Sequence, residues 1–451
     1  MECARWMWPL AVAVGLAGCP GSVPDEAVFG ADASGTQADV ALADLGSGPV
    51  DGGSAPADSG PNGVDSGKVS HDAGKANDDG GAKVDVSVAV DSGPAVTPKV
   101  VHITAGGATT CAGYDDGSAL CWGSNTKGQL GNDKGGSGKS SAVPVTVGGP
   151  AMSGVDCGDE HCCGLDGDSK LWCWGTNQFG QAGMDSGFPS FNKPNKLKTD
   201  GAVKAVAAGG AHTCILLPAG NLRCWGLGNS GQLGQGEEKT SNTPVDVTWL
   251  KEVEAIDAAF YSSCARTKAG DIWCWGYNGM GQVGTSSSDK FVETPIKVAG
   301  VVNVVAFATG LEHTCAAQKG DKVYCWGRNG SHQLGKGSGN SSYSTPQESL
   351  GLTDVVALAV GDAHSCAVQK GGKVWCWGAN TYGESGQAKG PLMIDYPKEV
   401  PGVTNAVTIV SGNGHTCVLT TNNEVWCWGT GGQGQIGTGS KADQFGPVKV
   451  L

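Results

Sequence analysis

The sequence predicts an all-β chain, a seven-bladed β-propeller with four strands per blade, preceded by a signal peptide and a disordered linker. Three observations carry this expectation. A unit of about 51 residues recurs seven times from residue 100 onward, and internal repetition at such a period marks a solenoid, propeller or array. Each copy contains a Trp-Gly pair, at Trp122, Trp174, Trp225, Trp275, Trp326, Trp377 and Trp428. A cysteine directly precedes each tryptophan, and a second cysteine lies ten residues before the first. The expected organisation is residues 1–18 as signal peptide, 19–98 as linker and 99–451 as propeller, with repeats near 100–150, 151–201, 202–252, 253–301, 302–352, 353–403 and 404–451.

The N-terminus reads Arg5, an apolar run from Trp6 to Leu16, then Leu16-Ala17-Gly18-Cys19. The run is too short for a membrane span and ends in small residues, as secretory signals do. The four-residue ending resembles the bacterial lipobox, which implies that Cys19 receives a diacylglycerol and becomes the new N-terminus. An ordinary cleaved signal with an incidental cysteine is the plainer alternative.

Residues 20–98 hold thirteen acidic residues against three lysines, and Phe29 is their only aromatic. Aspartates recur near seven-residue steps (Asp44, Asp51, Asp58, Asp65, Asp72, Asp79). The residues between them lack the apolar pairs of a coiled coil and the close spacing of a calcium loop. Such a composition cannot bury a core, so a disordered, self-repelling tether is expected, with Val84 to Val90 a candidate short strand at the propeller's edge. Residues 99–451 carry 26 basic and 29 acidic residues. Neither part has the basic excess that a phosphate backbone demands, which argues against nucleic-acid binding.

Each repeat opens with an apolar strand such as Val203 to Gly209, continues through Ala-His-Thr-Cys and a turn to Leu-Arg-Cys-Trp-Gly, passes a Gly-Gln-Leu-Gly-like loop (Gly231 to Gly234) and closes on Thr243-Pro244-Val245. That is four short strands. One such unit cannot bury both faces; seven stacked radially can.

Ten-residue spacing pairs Cys111 with Cys121, Cys163 with Cys173, Cys214 with Cys224 and Cys264 with Cys274. It likewise pairs Cys315 with Cys325, Cys366 with Cys376 and Cys417 with Cys427. In an antiparallel hairpin, residues equidistant from the turn centre face each other. For the first pair the centre is Asp116, leaving a loop of Asp115, Asp116 and Gly117. Three-residue loops favour a left-handed residue last, and Gly117, Gly220, Gly270, Gly372 and Asn423 occupy that place. Ser169 and Asp321 do not fit, so different turns are expected in repeats two and five. Opposed residues lie ~4.5–5.5 Å apart at Cα, within disulfide range. Cys157 and Cys162 remain, either as an eighth bridge local to the second repeat or in exchange with Cys163. Such density requires an oxidising compartment, in agreement with the export signal.

The stretch from Ala207 through Cys214, Leu222 to Gly226 and Gly231 to Gly234 resembles the regulator of chromosome condensation repeat family, over residues from about 100 to 451. The resemblance implies a seven-bladed propeller that binds a partner protein through a loop-bearing face. The family includes a nuclear exchange factor, plant photoreceptors and a secreted bacterial inhibitor of β-lactamases. No insertion here matches the exchange factor's GTPase-contacting wedge. A cysteine pair in every hairpin is a departure that suits an extracytoplasmic member.

Among residues with chemical potential, His161, His212, His313, His364 and His415 each stand two before a hairpin cysteine. A His/Cys zinc site is conceivable at that spacing, but each cysteine has a better partner ten residues away, so a hydrogen-bonding role is expected. Two Gly-x-Gly-x-x-Gly strings (from Gly226 and from Gly429) and the Gly138-Lys139-Ser140 string lack a following helix and read as loop glycines. No His-Glu-x-x-His or Gly-x-Ser-x-Gly sequence occurs. No catalytic residue, metal or cofactor is therefore assigned.

Two variable zones are binding candidates. Asp159, Glu160, Tyr261, Glu312, Asp362 and Asn413 stand at tips between the first two strands, expected to ring one mouth of the channel. Phe188, Phe191, Phe291, Tyr343 and Tyr396 follow the Gly-Gln-Leu-Gly loops, where exposed aromatics anchor partners. The leading expectation is a monomeric lipoprotein of a bacterial cell envelope. It would touch the membrane only through its lipid and bind an envelope or extracellular protein or glycan. The rival is an extracytoplasmic glycan hydrolase or lyase using acids at the channel mouth. A third reading, nucleotide exchange, requires a reducing cytosol, which the cysteines contradict.

Overall fold

The computed structural model describes residues 97–184, 188–320 and 322–451. The signal peptide, Cys19, the acidic linker through residue 96 with its candidate strand, and Asp321 lie outside the described residues.

Blade one comprises β1 (Val100–Gly106), β2 (Thr109–Tyr114), β3 (Ala119–Ser124) and β4 (Ser140–Thr146), antiparallel and hydrogen-bonded in chain order. The other six blades repeat this meander, giving seven four-stranded sheets, each from one contiguous stretch of chain. First strands pack against one another around the axis, and fourth strands form the half-exposed rim. First-to-second-strand tips and third-to-fourth-strand loops share one end, called the upper face here. The hairpins and interblade connections share the other. Among the described residues no helix is long and apolar enough to cross a membrane.

The hairpin register agrees with the expected turn centre. Tyr114 N–H donates to Ser118 O (2.9 Å), and Cys111 lies opposite Cys121. Counting outward from that bonded pair places the cysteines at a non-hydrogen-bonded site, where side chains approach most closely. Disulfides join Cys111 to Cys121, Cys163 to Cys173, Cys214 to Cys224 and Cys264 to Cys274. Three more join Cys315 to Cys325, Cys366 to Cys376 and Cys417 to Cys427. An eighth joins Cys157 to Cys162, which decides the open pairing in blade two against exchange with Cys163. One expectation needs correction for Cys121, Cys173, Cys224, Cys274, Cys325, Cys376 and Cys427. Each lies 4.1 Å at Cα from its partner, nearer than the expected ~4.5–5.5 Å, because the bond draws the two strands together at that narrow site.

The second repeat corrects another expectation. Ser169 takes φ 59°, and the turn keeps the common hydrogen bonds, Asp166 N to Lys170 O and Ser169 N to Asp166 O. The Asp166 carboxylate accepts from the amides of Asp168 and Lys170, holding a non-glycine residue in the left-handed region. In the fifth repeat Gly320, one place earlier, takes φ 68°.

The repeated signature is a device for joining blades. The Gln side chain closes its own loop, as Gln232 Oε1 does on Ser230 N–H (2.8 Å). Its carbonyl accepts the indole N–H of the next blade's buried tryptophan, as Gln232 O does from Trp275 (2.9 Å). The same bond, at 2.8–3.0 Å, occurs at all seven seams, with Glu384 in the Gln position of blade six. The second loop glycine is dictated by this contact: Gly234 has φ 69°, and a Cβ there would lie 2.7 Å from Trp275 Nε1. The ring closes in the same way, through Trp122 to Gln435 O (2.9 Å), without an exchanged strand.

Candidate interaction face

At the upper end the first strands converge backbone on backbone. A Cβ on Gly158 would overlap the carbonyl oxygen of Gly209, so the collar tolerates no side chain at that position. The tips touch in sequence around it: Gly210 N bonds Ala259 O (3.1 Å), Asp362 N bonds Asn413 O (3.4 Å) and Asn413 N bonds Gly107 O (2.9 Å). Asp159, Glu160, Tyr261, Glu312, Asp362 and Asn413 accordingly occupy one mouth.

Their electrostatics are uneven. Burial pushes the Asp159 carboxyl well above the ordinary carboxylate range, and the charges of Glu160 and Asp362 push it further. The backbone links the acidic tips of blades six and two around the mouth: Asp362 N bonds Asn413 O, Asn413 N bonds Gly107 O, and a Cβ on Gly107 would lie 2.6 Å from Asp159 Oδ1. Glu160 faces Lys127 at 3.8 Å, and Glu312 is paired with Arg328.

The aromatic candidates separate into groups. Tyr261 and Phe291 belong to one stripe with Phe260 and Tyr277. Ring centroids are 4.3 Å apart for Phe260–Tyr261, 6.2 Å for Tyr261–Tyr277 and 6.1 Å for Tyr277–Phe291. All four are partly exposed. The stripe crosses blade four from the channel mouth to the rim, because its members sit at the upper ends of consecutive strands. Tyr277 N bonds Tyr261 O (2.8 Å), and Tyr277 lies opposite Phe291. Phe188 and Phe191 form a separate pair on blade two (6.0 Å), with Phe188 exposed. Tyr343 is covered by Lys336 Nζ at 3.6 Å, and Tyr396 is exposed on blade six. Sequence reasoning missed Phe260 and Tyr277. Tyr277 directly follows Trp-Gly, where other repeats hold Ser124, Thr176, Leu227, Arg328, Ala379 and Thr430, and that comparison would have exposed it.

The five histidines are seam links. Each Nε2 reaches a hydroxyl of the next blade at 2.7–2.8 Å: His161 to Thr213, His212 to Ser263, His313 to Ser365, His364 to Thr416 and His415 to Thr110. Each hydroxyl donates to the glutamine-position carbonyl, so it accepts from Nε2–H, which sets the tautomer. Burial lowers the imidazoles to pKa values of about 3, and about 4 for His364. They stay neutral and lie in five separate blades, so nothing gathers them around one ion. Cys111, Cys157 and Cys162 do come within 4.8 Å of one another, but all three are disulfide-bonded.

Blades one and four lack the histidine, carrying Thr109 and Ser262 instead. Their seams are bridged by aspartates that the sequence did not reveal. Asp156 of blade two accepts from Thr104 Oγ1 of blade one (3.0 Å) and from Ala208 N of blade three (2.8 Å). Asp257 of blade four accepts from Thr309 N of blade five (2.6 Å). Burial raises Asp156 to a pKa of about 7 and Asp257 well above the ordinary range. A surface cavity of about 270 Å³ lies at the opposite end, between the first hairpin and the connection to blade two.

Comparison with known proteins agrees with this architecture. The family model described as "Regulator of chromosome condensation (RCC1) repeat" matches residues 116–165, 168–216, 219–265, 269–317, 321–368 and 371–419. A second model of that repeat matches seven shorter stretches between residues 100 and 435. The human probable E3 ubiquitin-protein ligase HERC4 is 36% identical over 296 residues, which are 62% of this chain and 27% of that protein. This chain thus matches only about a quarter of that relative's length. The ultraviolet-B receptor UVR8 of Arabidopsis thaliana is 26% identical over 77% of this chain and 69% of its own. Among solved structures, Prp20p of Saccharomyces cerevisiae superposes with a TM-score of 0.68 at 22% identity, covering 74% of this chain and 85% of that one.

Proposed function

The chain belongs to the regulator of chromosome condensation (RCC1) repeat family, and from that premise we propose that it is an exported, lipid-anchored scaffold that binds a partner protein through its upper face. The observation that carries the reading is the aromatic stripe Phe260–Tyr261–Tyr277–Phe291, which crosses a whole blade at positions the repeat leaves variable. Packing of a blade needs no rings there, since the other blades manage without them. A partly exposed row of rings beside charged tips has the composition of an interface centre. Prp20p, which shares the fold, has binding properties toward Gsp1p and histones. A protein is accordingly the class of partner we adopt.

Export and anchoring rest on the Leu16–Cys19 string and on the cysteines, all of which are paired in the described residues and need an oxidising compartment to form. Replacing Cys19→Ala should move the full chain from the detergent phase to the aqueous phase on phase partitioning. Unchanged partitioning would remove the lipid anchor from the proposal.

For the face itself, the full chain and its Tyr261→Ala/Tyr277→Ala variant should be compared for partner retention from envelope extract. Retention by the first and loss by the second is expected. A chain that retains no protein but degrades a polysaccharide panel would instead favour the hydrolase reading, for which Asp159, a carboxyl held high beside another acid, is the one supporting feature.

A further inference from the structure

Resting on the scaffold reading, we propose that the upper face receives a basic segment of the partner, with an arginine laid on the Phe260–Tyr261 end of the stripe and directed at the acidic mouth formed by Asp159 and Asp362. Three features converge on this occupant. The stripe starts at the mouth, one blade beyond the tip that follows Asp159: Gly210, whose amide bonds Ala259, lies under Phe260, where a Cβ would come 2.8 Å from the ring. A Cβ on Gly158, beside Asp159, would overlap Gly209 O. Aromatic faces attract cations, and this chain already stacks its own on its rim, with Lys336 over Tyr343 at 3.6 Å and Lys290 over Phe291 at 5.3 Å. The inner end carries the complementary charge instead.

Acids outnumber bases at the mouth, with Asp159, Glu160, Glu312 and Asp362 against Lys127 and Arg328. Lys127 and Arg328 are engaged by Glu160 and Glu312, and Asp159 forms no ion pair among the described residues. Acids from blades two and six lie on one mouth, where burial first, and then the charges of Glu160 and Asp362, hold the Asp159 carboxyl high. An incoming guanidinium would relieve that repulsion and gain ring contact at once. Arginine suits the geometry better than lysine, because its planar fork can stack on a ring and still bond a carboxylate at its edge. An acidic or uncharged segment would gain the rings but leave the repulsion in place.

The test is selection of random displayed peptides on the immobilised full chain, followed by affinity measurements on the enriched peptides. Enrichment in arginine is expected, with binding that weakens as salt is raised. Asp159→Asn/Asp362→Asn should weaken those peptides about tenfold, a change equivalent to one desolvated cation–carboxylate or cation–ring contact. These substitutions remove a repulsion, so the melting temperature should hold or rise, which separates lost binding from lost folding. Enriched peptides without basic residues, yet lost on Tyr261→Ala, would overturn the basic-segment inference and leave the scaffold standing. Peptides indifferent to Tyr261→Ala and to the Asn pair alike would overturn both. Displacement of arginine peptides by neutral oligosaccharides, with affinity unaffected by the Asn pair, would give the stripe to a glycan and overturn the inference.

Discussion

Five seams of the ring are closed by a neutral histidine donating to a hydroxyl. The other two, between blades one and two and between blades four and five, are closed by a buried aspartate, and Asp156 also reaches across the His161 seam to Ala208. Both kinds also share the tryptophan-to-carbonyl bond, so the common bond holds the repeat geometry while the variable one sets how each seam answers to pH. A histidine buried neutral resists protonation, whereas an aspartate buried on the channel wall resists ionisation. The two kinds of seam are therefore weakened from opposite directions, although they occupy equivalent places in one repeat.

The largest expected effect follows from the histidines. Their folded pKa values, about 3 to 4, lie below the unfolded value of about 6.5, so the unfolded chain binds protons first as pH falls. The stability they contribute is present above pH 6.5 and is lost progressively below it. At pH 5 the loss should be about 2 kcal/mol for each histidine, on the order of 10 kcal/mol if the five act independently. Denaturant unfolding with disulfides intact, followed from pH 7.5 to 4.5, should show this limb. His212→Gln, which can still donate to Ser263, should reduce its slope by about a fifth. A pH-independent midpoint would show that the histidines are not buried neutral.

The aspartate seams should move the other way. Asp156 has a folded pKa of about 7, above its unfolded value near 3.8, so its stabilising contribution is complete below about pH 4 and is lost as pH rises through 7. Asp156→Asn cannot ionise and should flatten this limb, a difference of about 4 kcal/mol across the window. Hydrogen exchange at pH 8 would locate the effect: amides beside Thr104 and Ala208 should be protected in the variant relative to the parent. If they exchange faster, the carboxylate is serving as a charged acceptor that the seam needs.

This division of seams was only half legible in the sequence. Trp-Gly periodicity, cysteine spacing and turn residues each report on a local backbone, and together they specified blades, strands and hairpin register. The histidines could be placed on a strand two residues from a cysteine, but the hydroxyls they meet are about fifty residues onward, in the next blade. Asp156 and Asp257 could not be found at all. Their repeat neighbours at the same place are Thr104, Ala207, Ala308, Ala359 and Val410, so the position reads as apolar with tolerated variation. Ser169 failed for a related reason, because its left-handed conformation is maintained by the Asp166 side chain and not by its own residue type. The stripe was legible in part, since Tyr261 and Phe291 lie in variable zones, but Tyr277 is a single variable position directly after the constant Trp-Gly pair and is masked by it.

Blade four allows the two seam types to be interconverted. In blade three, a Cβ on Gly209 would lie 2.5 Å from His212 Cε1, so the histidine needs a glycine beside it. Blade four has Ala259 at that place and Ser262 in place of the histidine. Ser262→His alone should cost about 2 kcal/mol by overpacking against Ala259. Adding Ala259→Gly should recover that loss and bring the imidazole within reach of Thr314, with a coupling of about 1–2 kcal/mol in a double-mutant cycle. Additive single effects would mean that the glycine serves only the backbone collar.

The smallest effect is expected where the second blade has replaced a hydroxyl by sulfur. Cys162 occupies the place held by Thr110, Thr213, Ser263, Thr314, Ser365 and Thr416 in the other blades, and as a disulfide sulfur it has no proton to give to Gln129 O. Among the described residues that carbonyl accepts a proton from the Trp174 indole alone (2.8 Å), whereas Gln181 O accepts from both Trp225 and Thr213. Cys157→Ala/Cys162→Thr removes a short-loop disulfide worth ~2 kcal/mol on a chain-entropy model and restores a hydrogen bond worth about 1 kcal/mol. The net cost should be about 1 kcal/mol at neutral pH, read from the denaturation midpoint. Blade one has no histidine to meet the new hydroxyl, so the variant should leave the acid limb unchanged. A steeper acid limb would mean that this disulfide shields the neighbouring His161 seam from protonation, and a larger neutral loss that it ties the two blades more tightly than its short loop allows.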